Sequence, residues 1–418
     1  MLKPRRAAIA AFLAVAWPLA SCAEKSSAGD PSAPAAEAWT LDPTGLPRAT
    51  LVEELRLDAD EEDFSVVRAV NVGPNGRIAV PLRQDGEVRV YDAAGTAIGV
   101  FGRPGEGPGE FGVLTSVGFV GDTLWARDGR LRRITFFAPD GSVLRTWSPE
   151  EVQLDPPDGQ GPPLAIPTMF LNPVAVRPDG SMLATARYMY ADMSRVSETL
   201  AVDVTPDARA RLVATPPAYE DPRWMIEVDG LGWPMPFTVM PMTSSTPDGD
   251  LLAMLISEAT SETGGEVTLT LVRAAGDTVF QHAYPFVGEP VTGSARDSAI
   301  DALAPDRPPT EGPPDLYRRR QAIARDQMPT VHPPVTGFRL GMDGTIWIDL
   351  RESEEGRVTL VLDGDGRPLA YVLLPEGAVI RQATRTHVWM TEADEFDLSD
   401  VVRYRVEGLG GMPGASGG

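Results

Sequence analysis

The sequence predicts an all-β chain folded as a six-bladed β-propeller with four-stranded blades, and three observations predict it. From Ala49 onward the chain is a succession of short apolar-alternating runs, each suited to half-bury one face of a strand, broken by Gly-containing turns. Two kinds of turn recur five times. One falls at Asn75-Gly76, Gly121-Asp122, Asp179-Gly180, Asp248-Gly249 and Asp343-Gly344. The other falls at Ala94-Gly95, Asp140-Gly141, Pro206-Asp207, Ala275-Gly276 and Asp365-Gly366, between 19 and 27 residues further on. A near-constant offset marks one repeated four-stranded unit. Finally, a sixth unit, GAVIRQATR, THVWMTEA and DVVRYRVEG, has three strands only, while ATLVEELRLDA (49–59) stands ahead of the first complete unit without a partner. If that run is the outer strand of the last blade, the ring closes and removes most exposed edges, which an all-β chain must manage.

Taken in order, the chain starts with a basic stretch, MLKPRR, and an apolar one, AAIAAFLAVAWPLA, which is short for a membrane span and suited to a signal segment (1–21). LASC follows, placing Cys22, the only cysteine, where cleavage is expected. Residues 22–48 open with AEKSSAGDPSAPAAEA, which has no periodicity and no large apolar residue, and are expected to form a flexible tether reaching about 20 Å or more. The propeller is expected over 49–410 and a disordered tail over 411–418. In the first blade, VVRAVNV, RIAVPLR, EVRVYD and TAIGVFG are joined by PNG, QDG and AAG; Asn-Gly and Asp-Gly suit hairpin turns in which both central residues take positive φ. Two segments break the β pattern. PPAYEDPRWMIEVDGLGWPMP precedes the fourth unit. SARDSAIDALAPDRPPTEGPPDLYRRRQAIARDQMP lies between the fourth and fifth; it is partly helical, with Asp315 as N-cap of DLYRRRQAIARDQM, and is expected to cross one face of the ring.

Composition narrows the function. The 418 residues are 43% hydrophobic and 23% charged, which is ordinary for a globular protein, and 41 Gly with 40 Pro favour turns over long helices. A net charge of −22 excludes a nucleic-acid footprint. The basic residues are almost all Arg, a bias that argues against reading meaning into any single one.

The segment FGRPGEGPGEFG (101–112) contains a literal G-x-G-x-x-G in Gly107, Gly109 and Gly112. A dinucleotide site needs a strand before it and a helix after it. Here both flanks are β-like, Glu106 and Glu110 repel a phosphate, and Pro104 and Pro108 remove amide donors. The loop is therefore a crossover between blades, with Phe111 buried and with Arg103, Glu106 and Glu110 as candidate ligand contacts at the mouth of the ring.

With GRPGEGPGEF, the PDG turns, the TLWAR and TIWID strands and the late VVRYRV strand, the chain resembles the bacterial six-bladed β-propeller lipoproteins related to NHL-repeat propellers. The resemblance spans about residues 50–408. LASC likewise resembles a lipobox, which implies acylation of Cys22, and Ala23 after it favours the outer over the inner membrane. The resemblance carries little function, since propellers host many roles.

No catalytic constellation is legible. There is no G-x-S-x-G, and His282, His332 and His387 stand far apart without zinc spacing. The acidic runs DADEEDF, EADEFDLSD and DGDGR lack calcium-loop spacing. Lactonase-like propellers hold a metal in the channel on carboxylates from separate blades, so a calcium ion there stays open as an alternative; no cofactor is otherwise expected. Trp125, Trp347 and Trp389 belong to inter-blade cores, whereas Trp224 and Trp233, in an irregular insertion, are candidate ligand contacts. The expectation is an exported, lipid-anchored binding or scaffold protein of the cell envelope that takes a protein, peptide or glycan on one face. A metal-dependent hydrolase or lyase is the alternative.

Overall fold

The computed structural model describes residues 39–156, 162–188, 199–217, 221–303, 315–352, 356–394 and 398–409. The signal segment, Cys22, the first part of the tether and the tail 411–418 lie outside the described residues.

The fold is a six-bladed β-propeller. From the inner strand outward, blade 1 is Asn71–Val72, Ile78–Leu82, Glu87–Tyr91 and Ala97–Phe101. Blade 2 is Leu114–Val120, Thr123–Asp128, Arg133–Phe137 and Val143–Trp147. Blade 3 is Leu171–Val176, Met182–Ala186, Leu200–Val204 and Arg209–Ala214; blade 4 is Val239–Ser245, Leu251–Ala259, Gly264–Arg273 and Thr278–Val287. Blade 5 is Val335–Leu340, Ile346–Leu350, Val358–Leu362 and Pro368–Leu373. Blade 6 is Ala378–Ala383, His387–Ala393 and Ser399–Glu407, completed by Thr50–Leu57 from the other end of the chain. That outer strand runs antiparallel to Ser399–Glu407, from Thr50 opposite Glu407 to Leu57 opposite Val401. The unpartnered run and the incomplete unit thus complete each other.

Each seam between blades has its own apolar core. Phe101, Phe111 and Phe137 fill the seam of blades 1 and 2. Trp125 lies between blades 2 and 3, Trp347 between 5 and 6, and Trp389 between 6 and 1, as their places on second strands imply. Leu57 and Val401 meet Ile78, Val80 and Leu82 in the closing seam.

The structure departs from the sequence reading in four places. Blade 3 carries two further strands, Glu151–Leu154 and Leu164–Pro167; the former pairs parallel to Arg209–Ala214, so this sheet has six strands. The recurring turns use one positive φ rather than two. At Gly73–Arg77 the Gly73 and Gly76 N–H groups donate to the Arg77 and Gly73 carbonyls, and only Gly76 is left-handed (φ 76°). A turn of that kind places a single glycine where φ must be positive. Both central residues are positive at Asp229-Gly230 (φ 54° and 78°), which closes a two-residue hairpin between Met225–Val228 and Leu231–Pro234 inside the first insertion. Residues 39–48, expected within the tether, are packed: Leu41 is buried against blades 4 and 5, and Arg48 bridges to Tyr371. Asp315 precedes the helix Leu316–Gln327 but its carboxylate caps no N–H; it pairs with Arg319 at 3.1 Å instead. A further helix, Gly293–Ala302, is capped by Thr292, whose Oγ1 accepts from the Ala295 N–H.

Candidate ligand-binding sites

In an up-and-down blade the crossovers to the next blade and the turns between second and third strands emerge on the same face. The loop 102–113 is one such crossover. Pro104 packs on the second-to-third-strand turn of blade 1 at Gly86, and Glu106 pairs with Arg130 in the corresponding turn of blade 2 at 2.8 Å. The loop is clasped throughout. Arg103 pairs with Glu110 at 2.6 Å, and the Gly107 N–H donates to Glu110 at 2.8 Å. Those two contacts, the Gly107 amide first, hold the Glu110 carboxyl below its ordinary value. Arg133 donates to the Gly107 and Glu110 carbonyls, and buried Asp128 accepts the Gly112 and Val113 amides. Gly102 is left-handed (φ 87°) against the Phe111 ring. Arg103 and Glu106 remain largely exposed beside this clasp.

The two insertions occupy crossovers of the same face and meet there. Ile226, Val228 and Met235 of the hairpin pack with Ile300, Leu303, Leu316, Ala324 and Met328 of the helices, forming an apolar core apart from the seams. Asp229 and Arg319 tie hairpin to helix. The Arg320 guanidinium lies 4.6 Å from the Trp233 ring centroid and is itself buried, which lowers its pKa. Trp224 is fully enclosed under Arg223 at 4.3 Å, while Trp233 is half-buried and Leu231 exposed. Arg103, Glu106 and Glu110 thus stand on the crossover of blades 1 and 2, and Trp224 and Trp233 in the lobe before blade 4. They share a face and not a pocket.

The central channel holds a cavity of about 320 Å³ with lining residues from all six blades. Its charged lining is Arg68, Arg83, Arg339 and Arg381; among the described residues no carboxylate lines it. Arg339 also borders a second cavity, of about 670 Å³, with Asp349, Glu352 and Arg357. Burial raises the Asp349 pKa, against the pull of a 2.5 Å hydrogen bond donated by Thr359 Oγ1 and of Arg357 and Arg339. Gly337 makes room for this carboxylate, since a Cβ there would stand 2.9 Å from it. A calcium ion needs several oxygen ligands, and the channel offers guanidinium groups in the place of carboxylates, so the residues present do not fit one. His282, His332 and His387 sit on blade 4, on the insertion and on blade 6, and no group of three or more His, Cys, Asp or Glu among the described residues could hold a metal.

No family model matches the chain, and no curated protein does. Solved structures resemble it at low identity. A member of the DUF4221 family from Bacteroides vulgatus has 10% identity and a TM-score of 0.45, covering 87% of this chain and 99% of that one. A calcium-binding protein, regucalcin, from Agrobacterium tumefaciens has 10% identity and a TM-score of 0.38 over 85% and 95%. A catalytically inactive virginiamycin B lyase from Staphylococcus aureus has 10% identity and a TM-score of 0.33 over 86% and 99%. At these levels the likeness decides neither fold nor function, which rest on the strand pairing and side chains above.

The channel arginines escaped the sequence reading because an Arg-biased composition masks them. The signal was present nonetheless: VVRAV, GFRLG and VIRQA each place one arginine among apolar neighbours in the first strand of a unit.

Proposed function

We propose that the chain is an exported lipoprotein, anchored through a lipid on Cys22 and placed on the outer membrane, that binds an envelope protein, peptide or glycan on its crossover face. The observation that carries this reading is the lobe of the two insertions. It has its own apolar core on one face of a ring whose six seams are already filled. Leu231 and Trp233 on its hairpin, with Arg103 and Glu106 across the face, are the contacts available to a partner.

Two measurements test it. Residues 39–418 are screened on peptide and glycan arrays beside Leu231→Glu and Trp233→Ala variants. Binding that both variants weaken supports the reading, and binding indifferent to both rejects it. Separately, Cys22→Ser should move the full chain from the membrane to the soluble fraction; retention in the membrane rejects the anchor. A metal-dependent hydrolase in the channel has no observation in its favour, and calcium should leave the melting temperature unchanged.

A further inference from the structure

The inner strands of three consecutive blades each carry one arginine into the channel: Arg339 from blade 5, Arg381 from blade 6, and Arg68 from the extended segment leading into Asn71–Val72 of blade 1. Arg83, just beyond Ile78–Leu82, joins them on the lining. Many arginines elsewhere are matched by acids: Arg56 meets Asp400 at 2.6 Å, Arg177 meets Asp203 at 2.6 Å and Arg405 meets Glu54 at 2.9 Å. The channel set is not so matched. Arg68 and Arg83 make no hydrogen bond or ion pair with any described residue. Arg381 has Thr391 Oγ1 as acceptor at 2.8 Å, a neutral partner. Arg339 reaches the Ile380 carbonyl only at 3.5 Å, and its buried Nε has no acceptor. Beside Arg339 on its far side, in the second cavity, stand Glu352 and the half-buried Asp349, which accepts from Thr359; neither lines the channel.

Such a cluster is unfavourable by itself. Burial, with Arg339 and Arg68 as like-charged neighbours, pushes the Arg381 pKa down to about 10. An anion placed among the guanidinium groups reverses that repulsion and supplies acceptors to the unmatched donors. The cavity volume of about 320 Å³ admits a compact molecule rather than a folded partner.

We propose that the channel is a binding site for a small multivalent anion, a molecule carrying two or more carboxylate or phosphate groups, held by Arg68, Arg339 and Arg381 with Arg83 at its edge. This site uses residues other than those of the partner surface on the crossover face, and either can fail without the other.

The test titrates the purified full-length chain with citrate and with inorganic pyrophosphate by calorimetry at constant ionic strength. The two arms separate carboxylate from phosphate recognition. One-to-one saturable binding of at least one probe is expected, weakened about tenfold or more by Arg381→Gln and by Arg68→Gln, and unchanged by Arg103→Gln on the outer loop. Arg381→Gln should also raise the melting temperature of the ligand-free protein, since it removes a repelled, half-buried charge; a merely structural arginine would lower it. Absence of saturable binding by both probes at millimolar concentration overturns the proposal. So does binding that Arg68→Gln, at an exposed position where folding is not at stake, leaves intact.

Discussion

Ring closure by the N-terminal strand makes a quantitative prediction at Leu57. This residue lies on the outermost strand of blade 6, where an apolar side chain would ordinarily face solvent, yet it is 4% exposed. It belongs to the closing-seam core together with Phe64, Ile78, Leu82 and Trp389. Leu57→Ala removes three buried carbons, about 2.4 kcal/mol of transfer free energy. The cavity left behind adds to this, but an outer strand relaxes more easily than a central one, so the expected loss is about 3 kcal/mol. Val100→Ala on the outer strand of blade 1 is the matched control: Val100 is 55% exposed and should cost under about 0.5 kcal/mol. Urea unfolding of residues 39–418, followed by tryptophan fluorescence, reads both, with Trp389 reporting from the same seam. The midpoint should fall for Leu57→Ala at unchanged slope. If Leu57→Ala costs no more than Val100→Ala, the N-terminal strand does not seal blade 6 against blade 1.

Further predictions concern the crossover loop and the second cavity. Gly102→Ala puts a Cβ 2.4 Å from the Phe111 ring at a φ of 87°, so a loss of about 2–4 kcal/mol is expected. Gly121→Ala, at φ 56° with nothing within 4 Å, should lose only about 1 kcal/mol; equal losses in thermal unfolding would refute the packing assigned to Phe111. For Asp349, burial raises the folded-state pKa above the unfolded one, so the folded protein binds the proton more tightly and loses stability as pH rises through the folded value. Asp349→Asn keeps an acceptor for Thr359 and should gain on the parent chain as pH rises from about 4 to 8. A melting-temperature difference that is flat across this range would show that the carboxylate is not paying that cost.

The architecture was legible because it rests on local chemistry that repeats. Each Asp-Gly or Asn-Gly turn sits where one left-handed residue is required, and their spacing counts blades without any knowledge of long-range contacts. Even the closure between residues 50–57 and 399–407 followed from a missing strand at one end and a surplus one at the other. What stayed hidden was set by tertiary pairing. Glu151–Leu154 has the length and alternation of any short run, and only its parallel partner in blade 3 makes it a strand of that sheet. Trp224 and Trp233 stand nine positions apart in one irregular segment, and nothing local distinguishes the enclosed ring from the half-buried one. Trp224 packs under Arg223, whereas Trp233 is held by Arg320, a residue 87 positions later.

The channel shows why whole-chain charge is a poor guide to a site. A net charge of −22 places a repulsive field around the molecule for any approaching anion, yet the channel arginines face a cavity that no acid lines among the described residues. Surface carboxylates are screened within roughly 10 Å at ordinary ionic strength, while charges partly buried among strands are screened far less. Local attraction therefore outlasts the distant repulsion once an anion has entered, and the two terms separate kinetically. Added salt should speed association by weakening the outer field, the reverse of what a uniformly basic surface gives. The same salt should weaken the bound state only modestly. A ligand attracted merely to exposed arginines such as Arg103 would show the opposite balance, its affinity falling steeply with salt.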